Sequence, residues 1–505
     1  LEDFAGSIHK EDSKNISIRR SSGGHKIATF LRQNGYNVEV IDYVHRWKIE
    51  QLKEYLKPRA EKCKFFGFGS TFFLDSPVVK ELVEWLKQEY PNIPRVVGSQ
   101  NDSMRSLDMD WYVYGYGENA MLELLKHFDG GPEPIHFNKV INCYVNYKSF
   151  PKDDLTVSYQ ETDFMNPREI LLLEFARGCK FKCKFCSFTV LGVKDDYSRC
   201  ANSLDAELRE NYERWGTTMY TISDETINDN PEKLKKIAEI SRNLPFELNI
   251  MGFMRGDLLV AHPETWQDIW DMGLWSHFYG IETLNHEAGK FVGKGMNPDR
   301  LKDGILQVKK WFEDQGKYRV TLSTIIGIPG ETRETALDTK NWIKDNYPGH
   351  SYSFAPLLIM DGESKNMMTN PSEFDRTWRE SGKFYELDKK YLDNLDWSEI
   401  PEVNQDFAKF YMNSPGLAKW GHDTMDIWEA MKIFSEINHD PDLTKNLGPG
   451  IFYYHRYLTG GKYKLDDMMK DFNELEPFGA NDVRRQGAWI NEYKRQKLHG
   501  QRQVH

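Results

Sequence analysis

The chain is poor in cysteine and in long apolar runs, and each shortage excludes a class of protein. Six cysteines in 505 residues are too few for the disulfide framework of a small secreted protein. No apolar run approaches the roughly 18 residues that a membrane-spanning helix requires. The formal net charge of −11 argues against general affinity for nucleic acid or for an anionic membrane. We therefore expect a cytoplasmic protein of roughly two to four domains, with no membrane or nucleic-acid partner.

Three of the six cysteines stand close together, and their spacing predicts a metal centre. Cys179, Cys183 and Cys186 form a Cys-x3-Cys-x2-Cys pattern in the string RGCKFKCKFCSF. Three such thiolates can bind three irons of one [4Fe–4S] cube and leave the fourth iron open to a small molecule. Structural zinc is the alternative, although it usually takes four ligands and no fourth partner follows nearby. The remaining cysteines lack such spacing and are predicted to be ordinary buried or half-buried thiols: Cys63, Cys143 and Cys200.

The cysteine string resembles the signature of the radical S-adenosylmethionine (SAM) superfamily, in which an aromatic residue such as Phe185 precedes the last cysteine. Three later strings resemble the second, fourth and fifth strand ends of that family's barrel, in the same order: DETIN at 224–228, GIET at 280–283 and GIPGET at 327–332. The resemblance implies a [4Fe–4S] cluster that reductively cleaves SAM to a 5′-deoxyadenosyl radical. It also implies an external electron donor of the flavodoxin or ferredoxin type.

The same resemblance implies roles for individual residues around SAM. Asp224 and Glu225 would receive the methionyl amine in a charge-assisted pair, unless they only cap the next helix. Arg255 would pair with the SAM carboxylate or a substrate anion, unless it is a surface arginine, and Glu282 would face ribose or substrate. The adenine would lie against Phe185 and the GIPG backbone of Gly327, Ile328, Pro329 and Gly330.

Residues 1–130 predict an α/β domain with a doubly wound, flavodoxin-like parallel sheet, whose strands fall at 38–41, 65–68, 95–97 and 111–113. The strings at 21–43, 67–73 (GFGSTFF), 96–100 (VVGSQ) and 114–120 (YGYGENA) resemble the cobalamin-binding domain that precedes many radical SAM barrels. Small residues and hydroxyls there would let the backbone approach a large flat ligand. The resemblance implies corrin contacts from Ser70, Thr71, Gly98, Ser99, Gly115, Gly117 and Glu118.

Two departures from the cobalamin-binding pattern keep an alternative open. The chain has no Asp-x-His-x-x-Gly string, so no histidine ligand for the lower face of the corrin can be named. Ser99 also stands where a second glycine is usual. A domain that kept the fold and lost the ligand is therefore the competing prediction.

The rest of the chain divides into a connector at 131–169, a barrel at 170–359 and a C-terminal region at 360–505. The barrel is predicted to be a partial (β/α)6 barrel with chemistry at its carboxyl mouth, and its strands are predicted at 170–175, 217–222, 246–251, 277–281, 320–326 and 352–358. The C-terminal region is predicted to be a mainly helical cap, with helices at 371–386, 424–437 and 465–475. No cysteine follows Cys200, so a second cluster in that region is excluded.

Together these patterns predict a radical SAM enzyme in which cobalamin assists methylation, or another C–H functionalisation, of a small-molecule or peptide substrate. One alternative is a cobalamin-independent radical SAM enzyme with a vestigial N-terminal domain. Another is a non-catalytic sensor that holds SAM and an iron–sulfur cluster. A tRNA methylthiotransferase is disfavoured because only Cys63 and Cys143 precede the cysteine string, whereas that class needs three further cysteines.

Overall fold

The computed structural model describes two parallel sheets with their helices, followed by a smaller C-terminal part. The described residues are 21–42, 44, 49–69, 77–99, 107–147, 156–163, 165, 171–186, 197–316, 318–348, 350–357, 384–386, 390, 393–402, 405, 408–409, 418–420 and 424–439. No helix among them is long and apolar enough to cross a membrane.

The N-terminal sheet is parallel and follows the chain in the order β1-β2-β3-β4. Its strands are β1 Phe66–Gly69, β2 Arg95–Ser99, β3 Trp111–Tyr114 and β4 Val140–Asn142. Helices cover both faces, as the doubly wound prediction requires: α1 Ser22–Gln33 and α4 Glu118–Phe128 on one side, α2 Ile49–Ala60 and α3 Pro77–Glu89 on the other. Burial of apolar side chains on both faces stabilises this layered arrangement.

One predicted N-terminal strand is wrong and one strand was missed. Residues 38–41 form no strand. Only Glu39 is exposed and the other three are half-buried, but no described strand pairs with the segment, and the Val38 carbonyl accepts hydrogen bonds from Arg32. The missed strand is β4, which lies in the segment assigned to the connector. The sheet therefore extends to residue 142, past the predicted boundary at 130, because a strand of three residues leaves too short a pattern to detect.

The second sheet confirms all six predicted barrel strands. It is wholly parallel, in the order β5-β8-β9-β10-β11-β12, and β5 and β12 do not pair with each other in the described residues, which agrees with a partial barrel. The strands are β5 Leu171–Leu173, β8 Met219–Ile222, β9 Asn249–Met254, β10 Leu274–Glu282, β11 Arg319–Ile326 and β12 Ser351–Pro356. A short antiparallel pair, β6 Ala176–Arg177 with β7 Tyr197–Ser198, follows β5.

Helices connect these strands, and several of them start at side-chain caps that the sequence shows. Asn230 and Asn297 each accept backbone N–H groups ahead of a first-turn proline, and Thr332 forms a capping box. The predicted helix at 263–272 is split into a 3-10 turn, Pro263–Thr265, and a short α-helix. The helices after α4 are α5 Cys143–Asn146, α6 Ala201–Trp215, α7 Pro231–Arg242, α8 Gly256–Ala261, α9 Trp266–Asp271, α10 His286–Val292, α11 Pro298–Asp314 and α12 Arg333–Asn346.

The C-terminal part agrees only partly with the helical prediction. Helix α13 Ile427–His439 matches the predicted helix at 424–437, and its Ala430 and Ile433 belong to the barrel core. Residues 384–386 end a predicted helix but form strand β13 Phe384–Glu386, which pairs antiparallel with β14 Ala418–Trp420. Backbone pairing with a distant segment has overridden the local helical pattern there. The predicted helix at 465–475 lies outside the described residues.

The connector joins the two halves by specific contacts. Ser158 exchanges hydrogen bonds with the Thr29 hydroxyl of α1, and Asp163 receives a two-fold hydrogen bond from Arg32, with both distances 3.0 Å. Tyr159 in the same segment is buried in the barrel core. Helix α1 is thereby fixed against the barrel side of the molecule.

Candidate functional site

The three cysteines of the predicted metal centre lie in the loop that leaves β6. Cys183 is buried, whereas Cys179 and Cys186 are half-buried. The Cys186 backbone N–H donates to the Cys183 carbonyl at 3.0 Å, which tightens the loop. Lys184 N–H donates to the Val292 carbonyl at the end of α10, so the loop is held against the barrel. Helix α10 and the second half of the barrel thus position the cysteines.

The thiol arrangement fits a cluster better than a single metal ion. Within the part of the chain that the structure describes, no three Cys, His, Asp or Glu side chains converge closely enough to hold one ion. A structural zinc ion requires such convergence. An iron–sulfur cube takes one thiolate per iron, so its ligands can stand further apart.

The other three cysteines are placed as isolated thiols. Cys143 is buried at the start of α5, and burial raises the pKa of its thiol to about 12. Cys63 is half-buried and donates to the Arg59 carbonyl at 3.4 Å. Cys200 lies just before α6, at the surface, and is exposed. The prediction that it is buried or half-buried is therefore wrong.

Asp224 and Glu225 lie two and three residues after the end of β8, beside the cysteine loop. Asp224 is buried and accepts the Phe175 backbone N–H at 2.8 Å. The Glu225 atom Oε2 is buried with no hydrogen-bond partner in the described residues. Burial, with the negative charge of Asp224 added, raises the pKa of Glu225 to about 8. Neither residue caps α7, because Asn230 does. A cationic ligand group would satisfy this carboxyl pair.

Arg255 is placed differently from a surface arginine. It directly follows β9, is 7% exposed, and directs Nη1 at the Cys183 Sγ, 3.3 Å away. Its Nε and Nη2 bind both carboxylate oxygens of Asp257, at 3.0 and 2.6 Å. Asp257 was not selected from the sequence as the partner of Arg255, since an acidic residue in the first turn of a helix is common.

Phe185 and Ile328 come together, as the resemblance implies. Both belong to one apolar cluster with Ala288 and Val292 of α10, and Ile328 is fully buried. The cysteine loop and the GIPG turn therefore build a shared apolar surface from parts of the chain that are far apart in sequence. An adenine ring could lie against such a surface.

The GIPG turn is held by a residue that the sequence analysis did not select. Gly327 and Gly330 have φ of +85° and +91°, values that favour glycine, and Pro329 between them is buried. The Glu331 carboxyl accepts the Gly327 N–H and the Thr283 hydroxyl, both at 2.8 Å. Burial raises the pKa of Glu331 to about 7. The position of Glu331 within the GIPGET string was the sequence feature that could have led to its selection.

Glu282 lies at the end of β10, in a left-handed conformation with φ +65°. It is buried and pairs with Lys294 Nζ at 3.3 Å, and the same ammonium donates to the Gly280 carbonyl at 2.5 Å. The structure thus places Glu282 beside a lysine that the sequence analysis did not select. A non-glycine residue at such a φ carries strain, which clusters at functional sites.

The N-terminal candidates sit at the carboxyl ends of β2 and β3. A Cβ added at Gly98 would lie 3.9 Å from the Val113 carbonyl oxygen, an ordinary van der Waals contact. Ser99 is buried, and its carbonyl accepts the Gly115 N–H at 2.9 Å. Gly115 has φ +103°, and a Cβ there would lie 2.8 Å from the Tyr144 ring. Ser70 and Thr71 lie outside the described residues.

Gly117 precedes α4, and Glu118 is its first residue and contacts the barrel. The Glu118 carboxylate accepts Arg177 Nη2 at 2.6 Å, and both side chains are buried. Arg177, two residues before Cys179, also binds Glu174 and lies over the Tyr116 ring at 4.4 Å. The N-terminal sheet edge and the cysteine loop are therefore in direct contact.

Residues 173–343 match the radical SAM superfamily. The chain carries a radical SAM domain. A domain of this family implies a [4Fe–4S] cluster and SAM. An uncharacterised methyltransferase of Pyrococcus horikoshii is 26% identical over 170 residues, which make up 34% of this chain and 35% of that relative. The match thus spans about a third of the relative's length.

Two solved structures share the radical SAM fold together with the regions on either side of it. TsrM, a radical SAM methyltransferase of Kitasatospora setae solved with cobalamin and a [4Fe–4S] cluster, gives a TM-score of 0.62 at 12% identity, covering 95% of this chain and 97% of that one. OxsB, a cobalamin-dependent SAM radical enzyme solved with aqua-cobalamin and SAM, gives 0.56 at 12% identity, covering 96% and 78%. At such identities the likeness establishes the fold.

Proposed function

We propose that the protein is a radical SAM enzyme in which cobalamin assists methylation of a small-molecule or peptide substrate. The observation that carries this proposal is the buried contact between Glu118 and Arg177. It sets the carboxyl edge of the N-terminal sheet against the cysteine loop. The two surfaces assigned to cobalamin and to SAM are therefore neighbours, as methyl transfer between two cofactors requires.

On the barrel side, the chain supplies ligands, charge and an apolar wall. Cys179, Cys183 and Cys186 would hold the cluster, and Asp224 with Glu225 would receive the SAM amine. The apolar cluster that contains Phe185 and Ile328 would exclude water from the adenine. When bound, the cluster would supply the electron that cleaves SAM, and cobalamin would supply the methyl carrier.

The raised pKa of Glu225 bears on how SAM would bind. A buried carboxyl beside Asp224 holds its proton to about pH 8 without a cationic partner. Docking of an ammonium group would compensate both carboxylates, so proton release would accompany binding. Asp224 and Glu225 therefore fit a ligand that carries an ammonium group better than a neutral ligand.

A second candidate function keeps the radical chemistry and omits cobalamin. It is favoured by the Tyr144 ring, which fills the space beside Gly115 where the resemblance places a corrin contact. Ser99, buried at the end of β2, also occupies space where a corrin contact is implied.

Mass analysis of the SAM-derived products separates the candidates. The protein is reconstituted anaerobically with iron and sulfide, reduced chemically, and incubated with SAM with and without cobalamin. Formation of 5′-deoxyadenosine together with cobalamin-dependent S-adenosylhomocysteine supports the radical methyltransferase. 5′-Deoxyadenosine that is indifferent to cobalamin supports the second candidate. SAM that binds but stays intact contradicts both and favours a sensor.

A further inference from the structure

The Arg255 guanidinium is clamped between an acidic side chain, an aromatic ring and a cysteine of the cluster loop. Asp257 binds its Nε and Nη2 at 3.0 and 2.6 Å. The Phe181 ring lies 4.1 Å from the guanidinium carbon. The remaining nitrogen, Nη1, is 3.3 Å from the Cys183 Sγ. Because the guanidinium is planar, the two-fold bond to Asp257 also fixes the direction of Nη1.

The backbone at Arg255 is held as firmly as its side chain. Asn228, a buried residue after β8, accepts the Arg255 N–H at 2.9 Å and donates to the Arg255 carbonyl at 3.0 Å. This paired bond ties the end of β9 to the segment after β8. The donor at Cys183 is therefore pre-oriented by two independent anchors.

We propose that Arg255 is a positioning residue for the iron–sulfur cluster, acting through its hydrogen bond to Cys183 Sγ to raise the reduction potential of the cluster. The proposal rests on the proposed function, since it needs a cluster at the three cysteines. Hydrogen bonds to cluster sulfurs are one of the levers that set such potentials. A fixed donor favours the reduced form because that form carries more negative charge on sulfur.

This role differs from the one that the resemblance implied for Arg255. There it would pair with the SAM carboxylate or a substrate anion, and its effect would require that ligand. A donor to Cys183 acts whether or not SAM is present. Cys179 has a longer contact, 4.0 Å between its Sγ and the uncharged Thr226 hydroxyl, and that hydroxyl donates to the Glu225 carbonyl at 2.7 Å. Arg255 therefore gives the loop an asymmetric electrostatic environment.

Potentiometric titration of the reconstituted protein without SAM tests the proposal, with the reduced cluster followed by electron paramagnetic resonance. At a fixed applied potential, Arg255→Gln should lower the reduced-to-oxidised ratio roughly tenfold, the size of one charge-assisted hydrogen bond. Arg255→Lys, which keeps the charge but loses the fork, should fall between. Arg209→Gln is the control, because Arg209 forms a surface pair with Asp205 and should leave the ratio unchanged.

A second measurement decides the case if the variants fail to assemble a cluster. Wild-type protein labelled with 15N-arginine should show nitrogen coupling to the reduced cluster in pulsed resonance spectra. Absence of that coupling overturns the proposal. So does an Arg255→Gln variant that loses SAM affinity while its SAM-free potential is unchanged, which would make Arg255 a SAM ligand. A wild-type protein that assembles no cluster refutes the proposed function itself.

Discussion

The two parallel sheets carry different kinds of side chain at the carboxyl ends of their strands, although these two edges meet at the cysteine loop. The six-stranded sheet ends in buried ionisable groups, several of which are held by a partner, such as Arg255 by Asp257 and Glu331 by Thr283. The four-stranded sheet ends in small residues and tyrosines, and the carboxylate of Glu118 there is taken up by Arg177 of the barrel. The carboxyl edge of the barrel sheet suits a charged ligand, whereas the carboxyl edge of the N-terminal sheet suits a ligand with a broad, uncharged face.

The largest expected effect comes from replacing the cysteines of the cysteine loop. Replacing Cys179, Cys183 or Cys186 singly with Ala should abolish stable cluster assembly, because each supplies one of three thiolates. Replacing exposed Cys200 with Ala should leave iron and sulfide content unchanged. Iron analysis and visible absorption of the reconstituted variants measure the effect. Full iron content in Cys183→Ala would contradict the assignment.

Replacing a closely packed glycine should also destabilise the barrel more than the N-terminal sheet. A Cβ at Gly273, before β10, would lie 1.9 Å from the Leu248 carbonyl oxygen, and the residue has φ +81°. Gly273→Ala should lower the free energy of unfolding by about 4 kcal/mol or more, because the backbone at Leu248 cannot move away from the added methyl group. Gly115→Ala should cost less, since the atom it meets belongs to the Tyr144 ring.

Gly316 is the matched control for this comparison. It has φ +97°, but a Cβ there would meet nothing within 4 Å. Gly316→Ala should therefore cost only the strain of a left-handed residue, about 1 kcal/mol. Denaturant unfolding of the three variants gives the order. Equal losses at Gly273 and Gly316 would show that the contact with Leu248 is irrelevant.

The contact between the two regions should contribute measurably to stability. Arg177 and Lys26 share a buried network with Glu118 and Glu174. Glu118→Gln leaves an excess positive charge buried there and should cost about 2–3 kcal/mol. Glu133→Gln breaks an exposed pair with Lys139 in the same half and should stay within about 0.5 kcal/mol. A Glu118→Gln variant as stable as wild type would mean that the halves associate by other contacts.

A further effect concerns the pH dependence of stability. Burial raises the pKa of Glu331 from 4.5 to about 7, so between these values the unfolded state has lost a proton that the folded state keeps. The free energy of unfolding should therefore fall as pH rises through this window, by roughly 3 kcal/mol from this group. Glu331→Gln, which preserves the shape, should remove this part of the slope. An unchanged slope in the variant would assign the titration elsewhere.

Much of the fold was predictable because its signals are local. The apolar runs predicted all six barrel strands, and Asp224 after β8 and Phe185 in the cysteine loop were selected by resemblance to family strings. Short β4 was missed because its three residues carry too little pattern. The bond from Arg255 to Cys183 joins residues 72 positions apart. Such contacts depend on side-chain direction, which the sequence does not show.

Cobalt binding tests the central claim that the two sheet edges hold two cofactors. The wild-type protein and a Cys179→Ala/Cys183→Ala/Cys186→Ala variant are reconstituted with iron, sulfide and hydroxocobalamin, then desalted and analysed for both metals. The account predicts about four irons and one cobalt per wild-type chain, and cobalt without iron in the variant. Iron without cobalt in the wild type would contradict it and leave the N-terminal sheet without its ligand.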